Sequence, residues 1–196
     1  MGQLIVYEFL SLDGRFEGPP GAEMDWVQSH FSGELENDLA DQYASLGAFL
    51  MGRRTFDSLA SYWPTPAASQ EHLVHSMNAI PKLVASHQSD VSQWPNSYHL
   101  GDEPVAALPN ELQARGDIMV IGSGDLVNQL AGADLVDEYR LLIFPEILGA
   151  GRRLFDTLTR PASLATHRNE IFPGGVVALH CRKPRVPRDG RNRGQA

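Results

Sequence analysis

The segment that decides the fold is Ile118-Met119-Val120-Ile121-Gly122-Ser123-Gly124-Asp125-Leu126. Its four apolar residues predict a buried strand, and its two glycines predict a tight turn that leads into a helix. A second segment of this kind lies about 70 residues earlier, Phe49-Leu50-Met51-Gly52-Arg53-Arg54-Thr55-Phe56. Because a helix N-terminus presents free backbone N–H groups and a partial positive charge, it attracts phosphate. Two such turns therefore predict a ligand that carries more than one phosphate group.

Strands and helices alternate along most of the chain, and two strands follow each other directly near its end. Apolar, β-branched and aromatic runs predict the strands, and apolar residues at helical spacing predict the helices. Ser32 and Asp102 are expected to cap two helices. This order is typical of an α/β protein with a mixed, mostly parallel sheet and an antiparallel end. The predicted strands are 3–10, 48–51, 81–86, 117–121 and 136–144 with a hairpin of 163–171 and 175–182, and the predicted helices are 33–46, 53–60, 102–115 and 124–131.

Length and charge predict one acidic domain. The 196 residues are enough for a full hydrophobic core, and no linker or internal repeat divides the sequence. The last 15 residues hold six basic residues and one acidic residue, which leaves a net charge of −13 for residues 1–181. An acidic body argues against a broad nucleic-acid surface. We expect a single domain at 1–183 and a disordered basic tail at 184–196, so weak nucleic-acid contact through the tail is a distant alternative.

The sequence also limits the location and the metal chemistry of the protein. No apolar run approaches the ~20 residues that a membrane-spanning helix needs, and the N-terminus lacks the basic start of a signal peptide, so a cytoplasmic location is the default expectation. The single cysteine, Cys181, excludes an intramolecular disulfide and a cysteine-based zinc site. His72 and His75 lie three residues apart, but no carboxylate completes a metal-binding pattern, and we predict no metal.

The first turn, Gly52-Arg53-Arg54-Thr55, carries groups suited to phosphate. Glycine allows a ligand to approach the backbone, threonine can donate a hydrogen bond to a phosphate oxygen, and arginine can bind phosphate through two parallel hydrogen bonds. The alternative is that the two arginines are simply exposed at a helix start. Because the helix dipole disfavours cations there, an anionic partner offers a reason for them. A phosphate-rich dinucleotide such as NADPH would be that partner.

The second turn and the end of the strand 81–86 supply further candidates for cofactor binding. Residues 122–126 match the start of the dinucleotide pattern G-x-G-x-x-G, but Val127 stands at the sixth position. We therefore predict a phosphate-binding turn rather than a full Rossmann fold. The alternative is a glycine-rich turn that only lets a helix pack closely. Ser86 and His87 are placed to contact a ribose or its 2′-phosphate, unless they form an ordinary strand end.

Acidic and aromatic residues are candidates for the substrate side of the site. Asp13 follows the first strand and adjoins a flexible loop, which makes it the first choice for an acid that faces the substrate. The alternative is a common Asp-Gly turn, and Asp25 and Asp57 are rival acids. The residues predicted to bind substrate, of which the tryptophans can equally be core residues, are Trp26, Asp57 and Trp63, with Tyr62 as a further aromatic candidate.

These segments, in this order, resemble the dihydrofolate reductase-like superfamily, and in particular the branch related to the C-terminal reductase domain of bacterial RibD. The resemblance spans residues 3 to about 182 and implies a three-layer α/β/α sandwich around a mixed, mostly parallel central sheet. It also implies NADPH bound along the strand ends, with the loop from Ser11 to Gly21 over the substrate. The segments that carry it are Ser11-Leu12-Asp13-Gly14, Met51-Gly52-Arg53-Arg54-Thr55-Phe56, Lys82-Leu83-Val84-Ala85-Ser86, Val120-Ile121-Gly122-Ser123-Gly124-Asp125-Leu126, and Phe144-Pro145-Glu146-Ile147-Leu148-Gly149-Ala150-Gly151 with Leu154-Phe155.

The resemblance implies roles for the two turns and the strand end. Residues 53–55 would meet the cofactor phosphates, and residues 122–126 would wrap the pyrophosphate and the nicotinamide side. Ser86 and His87 would lie near the adenosine ribose. Because His87 stands where family members often carry arginine, a preference for NADPH over NADH rests on the two arginines of the first turn. The carboxylate with which folate reductases hold a pterin has no aligned counterpart, and a single cysteine excludes the zinc deaminase activity of RibD proteins.

We therefore expect an NADPH-dependent reductase that transfers a hydride to a small heterocyclic substrate, with Asp13 as its substrate-side acid. The substrate would be a pterin, a flavin-precursor pyrimidine or a similar ring. The alternative is a non-catalytic module that binds NADPH or another nucleotide through the same two turns. We expect a homodimer, for which strands 136–144 and 163–182 are the candidate surface, and we expect neither a nucleic-acid nor a membrane partner.

Overall fold

The computed structural model describes residues 2–184. The predicted basic tail, 184–196, therefore lies outside the described residues except for Pro184. The strands of the described chain are β1 (Leu4–Ser11), β2 (Arg15–Glu17), β3 (Ala48–Gly52), β4 (Lys82–Ala85), β5 (Ser97–Gly101), β6 (Ile118–Ile121), β7 (Glu138–Phe144), β8 (Arg152–Arg153), β9 (Ala165–Ile171) and β10 (Val177–Arg182).

Eight strands form one sheet in the order β5-β4-β3-β6-β1-β7-β10-β9, while β2 and β8 pair in a small ribbon. Every neighbouring pair from β5 to β7 is parallel, and β10 runs antiparallel to both β7 and β9. The predicted mixed sheet with an antiparallel end is thus confirmed. Because β3, β6 and β1 are parallel neighbours, their carboxyl ends lie side by side at one edge, which is where open α/β sheets bind ligands.

Helices cover both faces of the sheet. Along β1 the side chains alternate, so Ile5 and Tyr7 belong to one core cluster and Leu4 and Val6 belong to the other. The first cluster contains buried residues of the first four helices and defines the α2 face, and the second contains residues of the last two and defines the α6 face. The predicted three-layer sandwich is confirmed. The helices are α1 (Asp25–Gln28), α2 (Gly33–Tyr43), α3 (Arg53–Ala60), α4 (Val74–Ala79), α5 (Pro104–Arg115) and α6 (Gly124–Gly132).

One of the two predicted helix caps is correct and the other is wrong. Ser32 caps α2, because its Oγ accepts a hydrogen bond from the Leu35 backbone N–H at 3.3 Å. Asp102 does not cap α5, whose N-cap is Glu103. Pro104 opens this helix, since its fixed φ and missing N–H suit the first turn of a helix. The Asp102 carboxylate instead lies 3.0 Å from Nδ1 of His87.

Candidate functional site

The two glycine turns lie side by side because β3 and β6 are neighbouring parallel strands. The Gly52 backbone N–H donates a hydrogen bond to Ser123 Oγ at 2.7 Å, and the same oxygen lies 2.6 Å from Thr55 Oγ1. Ser123, which has a φ of 70°, therefore joins two turns that are distant in the sequence. Because α3 begins at Arg53 and α6 begins at Gly124, two helix N-termini meet at this junction. Their free N–H groups make it suitable for an anion.

Two glycines of the second turn are required by packing. Gly122 has a φ of 59°, and a Cβ at this position would lie 2.9 Å from Thr55 Cγ2. A Cβ at Gly124 would overlap the aromatic ring of Phe16. Both glycines therefore allow close packing, which is compatible with either prediction for this turn. A cavity beside the turns leaves room for a ligand.

A cavity of about 840 Å³ lies at the carboxyl ends of β1, β3, β4 and β6. This volume is within the range of small-molecule and cofactor sites, roughly 300–1,000 Å³. The structure brings three segments of distant sequence to its wall. All eleven residues predicted to bind the cofactor line it, namely Gly52, Arg53, Arg54, Thr55, Ser86, His87, Gly122, Ser123, Gly124, Asp125 and Leu126.

The two arginines of the first turn are held differently. Arg53 is fixed by an ion pair with Asp57 at 2.9 Å and by a hydrogen bond that it donates to the Asp90 carbonyl oxygen. Arg54 makes an ion pair with Glu17 at 2.8 Å, and its side chain is 67% exposed. Replacing the partner of an exposed ion pair by another anion costs little free energy. Arg54 is therefore the arginine that can more readily turn to an incoming phosphate.

A third arginine, Arg152, lines the cavity, although no sequence motif marked it as a site residue. It lies on β8, and the ribbon that β8 forms with β2 carries it to the second turn. Arg152 pairs with Asp125 and, at 3.5 Å, with Glu17, and its guanidinium carbon lies 5.1 Å from the centre of the Phe16 ring. The hydrogen bond to Asp125 raises the pKa of Arg152. Arg152 therefore adds a fixed cation at the second turn.

Ser86 and His87 lie at the end of β4, where they extend the cavity beyond the first turn. Ser86 is buried, and its Oγ accepts a hydrogen bond from the Gln88 backbone N–H at 2.9 Å. His87 is exposed and is paired with Asp102. The His87 imidazole thus has a carboxylate neighbour, which disfavours a second anion at that position.

Asp13, the first choice for a substrate-side acid, does not line the cavity. Its carboxylate accepts hydrogen bonds from Ser11 Oγ at 2.7 Å, from Arg15 Nε at 2.8 Å, and from the backbone N–H groups of Leu148 and Gly149 at 3.1 Å each. These bonds, led by that of Ser11, lower the pKa of Asp13. The residue therefore ties the turn after β1 to the loop before β8. This geometry assigns Asp13 a structural role, and its role as a substrate-side acid stays a prediction.

We expect the substitution Asp13→Asn to lower the unfolding temperature at pH 7. Because the folded-state pKa lies below the unfolded value of about 3.8, the contribution of this carboxylate to stability is present above that value and is lost as the pH falls through the folded pKa. The difference in unfolding temperature between wild type and variant should therefore shrink below pH 4, as differential scanning calorimetry can measure. Equal unfolding temperatures at pH 7 would contradict the structural role.

Of the three residues predicted to bind substrate, only Trp63 lines the cavity. Trp26 lies in the core of the α2 face, where its ring meets that of Phe144 at 5.3 Å and its Nε1 donates to the Glu23 carbonyl oxygen at 2.9 Å. Trp26 is therefore a core residue, which was one of the two roles that the sequence allowed for it. Asp57 lies on α3 outside the cavity, where it pairs with the first arginine of the turn.

The part of the cavity on the α2 face is aromatic and acidic. Trp63 lies beside Tyr62 with ring centres 5.6 Å apart, and the Tyr62 hydroxyl donates a hydrogen bond to Glu71, which raises the pKa of this tyrosine. Glu36 of α2 also lines this part. Within residues 2–184, the lysine and arginine side chains that line the cavity are confined to the first turn and to β8.

Glu8, which no sequence motif singled out, is the carboxyl group most deeply placed in the cavity wall. Its side chain is 4% exposed, and its Oε1 has no hydrogen-bond partner among residues 2–184. Burial raises the pKa of Glu8 to about 8. A signal was present in the sequence, because Glu8 interrupts an apolar strand on the face that Leu4, Val6 and Leu10 bury. A buried titratable group in a cleft is typical of a functional site.

A second polar cluster lies outside this cavity. Glu138, His167 and His180 bring one potential metal ligand each within 4.8 Å of one another, which their spacing in the sequence did not indicate. Arg140 Nε donates to the same Glu138 carboxylate at 2.7 Å, so a cation already pairs with it. Burial first, and then the nearby arginines, lower the pKa of His180 to about 4. The one carboxylate of this cluster is thus already paired with an arginine.

In the part of the chain described, no helix has the length and apolar character that crossing a membrane requires.

Comparison with known proteins relates the chain to one family. The family model described as the RibD C-terminal domain matches residues 3–177. Two proteins of Bacillus subtilis strain 168 are similar in sequence, and both are described as uncharacterized. YwjB is 28% identical over 176 residues, which cover 90% of this chain and 95% of YwjB. YyaP is 29% identical over 185 residues, which cover 90% of this chain and 93% of YyaP.

Solved structures share the fold at low sequence identity. A Shewanella sp. PV-4 protein, whose description connects it with riboflavin biosynthesis, has a TM-score of 0.76 at 22% identity over 93% of this chain and 99% of its own. A Thermotoga maritima protein, described as a deaminase and 5-amino-6-(5-phosphoribosylamino)uracil reductase, has a TM-score of 0.66 at 14% identity over 93% of this chain and 57% of its own. A pyrimidine reductase-like protein of Corynebacterium diphtheriae has a TM-score of 0.62 at 14% identity over 94% and 93%. The match along residues 3–177 and the shared fold show that the chain belongs to the RibD C-terminal domain family.

Proposed function

We propose that this protein is an NADPH-dependent reductase that transfers a hydride to a small heterocyclic substrate. The observation that carries the proposal is the pair of adjacent strand-to-helix turns, which open on a cavity of cofactor size and are joined through Ser123. Membership of the RibD C-terminal domain family supports it, since similar folds include proteins described as reductases. The chemistry that NADPH would supply is the hydride.

The chain's own residues fit the charge of NADPH. The N–H groups at the starts of α3 and α6 provide uncharged donors for a pyrophosphate, and Thr55 adds a hydroxyl beside them. Arg54 is the cation most free to bind a further phosphate. Ser86 and His87 extend the same wall past the first turn, in the position proposed for the adenosine ribose. These groups would bind and orient the cofactor and exclude water from the hydride that it carries.

The substrate end of the proposed site suits a planar ring without a phosphate. On the α2 face the cavity is lined by Trp63 and Tyr62, which offer aromatic surface. Glu36 and Glu71 also line it and could accept hydrogen bonds from ring N–H or amino groups of a substrate. A phosphate placed near two carboxylates would be repelled, and the arginines of the lining lie on the first turn and on β8. We propose an uncharged or cationic heterocycle as the substrate class.

Within a matched pair of heterocycles that differ only by a phosphoryl group, we expect the unphosphorylated member to be preferred. One such pair is 5-amino-6-(5-phosphoribosylamino)uracil, named in the description of the Thermotoga maritima protein, and its dephosphorylated riboside. Protection against thermal unfolding in the presence of NADP+ would rank the two ligands. Tighter binding of the phosphorylated compound would contradict the proposed substrate class.

The function itself is tested by cofactor oxidation. Absorbance of NADPH is followed with the full chain and a panel of pterins, pyrimidines and quinones, and NADPH affinity is measured in parallel by calorimetry. Oxidation that depends on one of these acceptors supports the reductase. Tight NADPH binding without oxidation by any acceptor favours the alternative of a non-catalytic nucleotide-binding module.

We also propose that the chain forms a homodimer through β7, β10 and β9. The register aligns Ile143, Val177 and Ile171 in one row across these strands, and Ile171 is 74% exposed. A second row aligns Leu141 with Leu179. An exposed apolar row on an edge strand calls for a covering partner, and a second copy offers the same apolar row in return. Light scattering of wild type and Ile171→Asp tests this: a monomeric wild type would contradict it.

A further inference from the structure

Glu8 lies in the cavity wall on the α6 face of β1, next to Tyr7, which faces the α2 side. The last pair that β1 forms with β6 is Tyr7 with Ile121, so Glu8 follows at the point where β6 gives way to the second glycine turn. On its other side Glu8 pairs with Leu141 of β7. Both Glu8 and Tyr7 line the cavity. The strand thus holds a buried carboxyl group in the cavity wall, beside the second glycine turn.

Burial, rather than a charged neighbour, controls the protonation of Glu8. Desolvation raises its pKa to about 8, and Oε1 has no partner within the described chain. Charged residues that line the same cavity pair with one another: Glu17 of β2 with Arg54 of α3, and Asp125 of α6 with Arg152 of β8. At neutral pH the Glu8 carboxyl therefore carries its proton and can donate it.

A hydride reduction requires such a proton. When a hydride adds to the carbon of a C=N or C=O group, the electron pair of that double bond moves to the nitrogen or oxygen, which must then bind a proton. Other buried hydroxyl groups of the cavity are weaker acids. Burial raises the pKa values of Tyr43 and Tyr7 above the ordinary value of a tyrosine, while Asp13 lies outside the cavity.

We propose that the Glu8 carboxyl donates the proton that completes the reduction, an inference that rests on the proposed function. The substrate gains one hydride from NADPH and one proton from Glu8, and the products are the reduced substrate and NADP+. Glu8 is left as a carboxylate and recovers its proton from solvent after the product leaves. Positioned proton donors of this kind accelerate reactions by about 100-fold to 10,000-fold.

The first test needs neither substrate nor cofactor. Glu8→Gln is nearly isosteric with the protonated carboxyl but cannot ionise. Because the folded pKa of Glu8 is raised from about 4.5 to about 8, wild-type stability should fall as the pH rises through this interval, whereas the variant lacks this loss. The unfolding temperature of Glu8→Gln minus that of wild type should therefore grow between pH 5 and pH 8 and then level off. A difference that does not change with pH would overturn the proposal.

The second test measures the proton transfer itself. With an acceptor that wild type reduces, Glu8→Gln should lower the rate of NADPH oxidation about 100-fold or more, while the NADPH dissociation constant changes by less than about threefold. Glu8→Asp should recover part of the rate, and the wild-type rate should decline above about pH 8. Glu34→Gln, an exposed carboxylate of α2 outside the cavity, serves as the control.

The outcomes separate this inference from the proposed function. If wild type oxidises NADPH and Glu8→Gln does so at an equal rate, Glu8 is not the donor although the reductase stands. If wild type binds NADPH but reduces no acceptor in the panel, the reductase fails and the inference falls with it. A rate loss in Glu8→Gln that comes entirely from weaker NADPH binding would also overturn the inference, because it would show a binding role.

Discussion

The substitution Gly122→Val is expected to reduce NADPH affinity on the order of 100-fold or more. Valine is β-branched and strongly disfavours the φ of 59° found at this position, and its Cβ would lie 2.9 Å from Thr55 Cγ2. The turn must therefore move away from α3. Loss of two hydrogen bonds from backbone N–H groups to a charged phosphate would cost about 3–6 kcal/mol, at about 1.5–3 kcal/mol each, which corresponds to at least a hundredfold in affinity.

The control for this variant is Gly132→Ala, at the other end of the same helix. A Cβ at Gly132 meets no atom within 4 Å, so the change should leave NADPH affinity within about twofold of wild type. Isothermal titration calorimetry measures both variants, and circular dichroism confirms that each is folded. A folded Gly122→Val protein that binds NADPH as tightly as wild type would show that the second turn does not hold the cofactor.

The second large effect is expected for Arg54→Ala, which should weaken NADPH binding about tenfold to a hundredfold. Hydrogen bonds between an arginine and a phosphate contribute about 1.5–3 kcal/mol. Arg54 lines the cavity and gives up only one exposed ion pair, with Glu17, to bind a phosphate. Because His87 is already paired with Asp102, Arg54 is the residue we propose for the 2′-phosphate. The same variant should therefore bind NADH almost as wild type does.

The matched control is Arg115→Ala on α5. Arg115 pairs with Glu111 and lies over the ring of Tyr98, and it does not line the cavity. Its loss removes the same charge from the protein without touching the proposed site. If Arg54→Ala and Arg115→Ala weaken NADPH binding equally, the effect comes from net charge, and the specific role of Arg54 is wrong.

Local sequence patterns were enough to predict the sheet and the proximity of the two glycine turns. The apolar runs around Leu50 and Val120 predicted parallel strands, and turns that follow neighbouring parallel strands must lie at the same edge of a sheet. The hairpin of β9 and β10 was predicted from the turn residues Pro173-Gly174-Gly175 between the two strands. The strands β2 and β8 were not, because two or three residues show no periodicity.

Contacts between residues far apart in the sequence determine the features of the site that local sequence patterns did not predict. The role of Asp13 depends on Leu148 and Gly149, more than 130 positions away, and no local feature distinguishes a carboxylate bound by these N–H groups from one that faces a cleft. Arg152 reaches the cavity only through its strand ribbon. Glu8 could have been selected as a carboxylate within an apolar strand, since such a residue requires either a partner or a function.

The most direct measurement is a crystal structure of the full chain with NADP+ at saturating concentration. We predict continuous density for the pyrophosphate between residues 52–55 and residues 122–126, with the nicotinamide extending toward Glu8. Density for the nucleotide at another surface, with these two turns free of it, would contradict the placement of the cofactor and the reductase that depends on it.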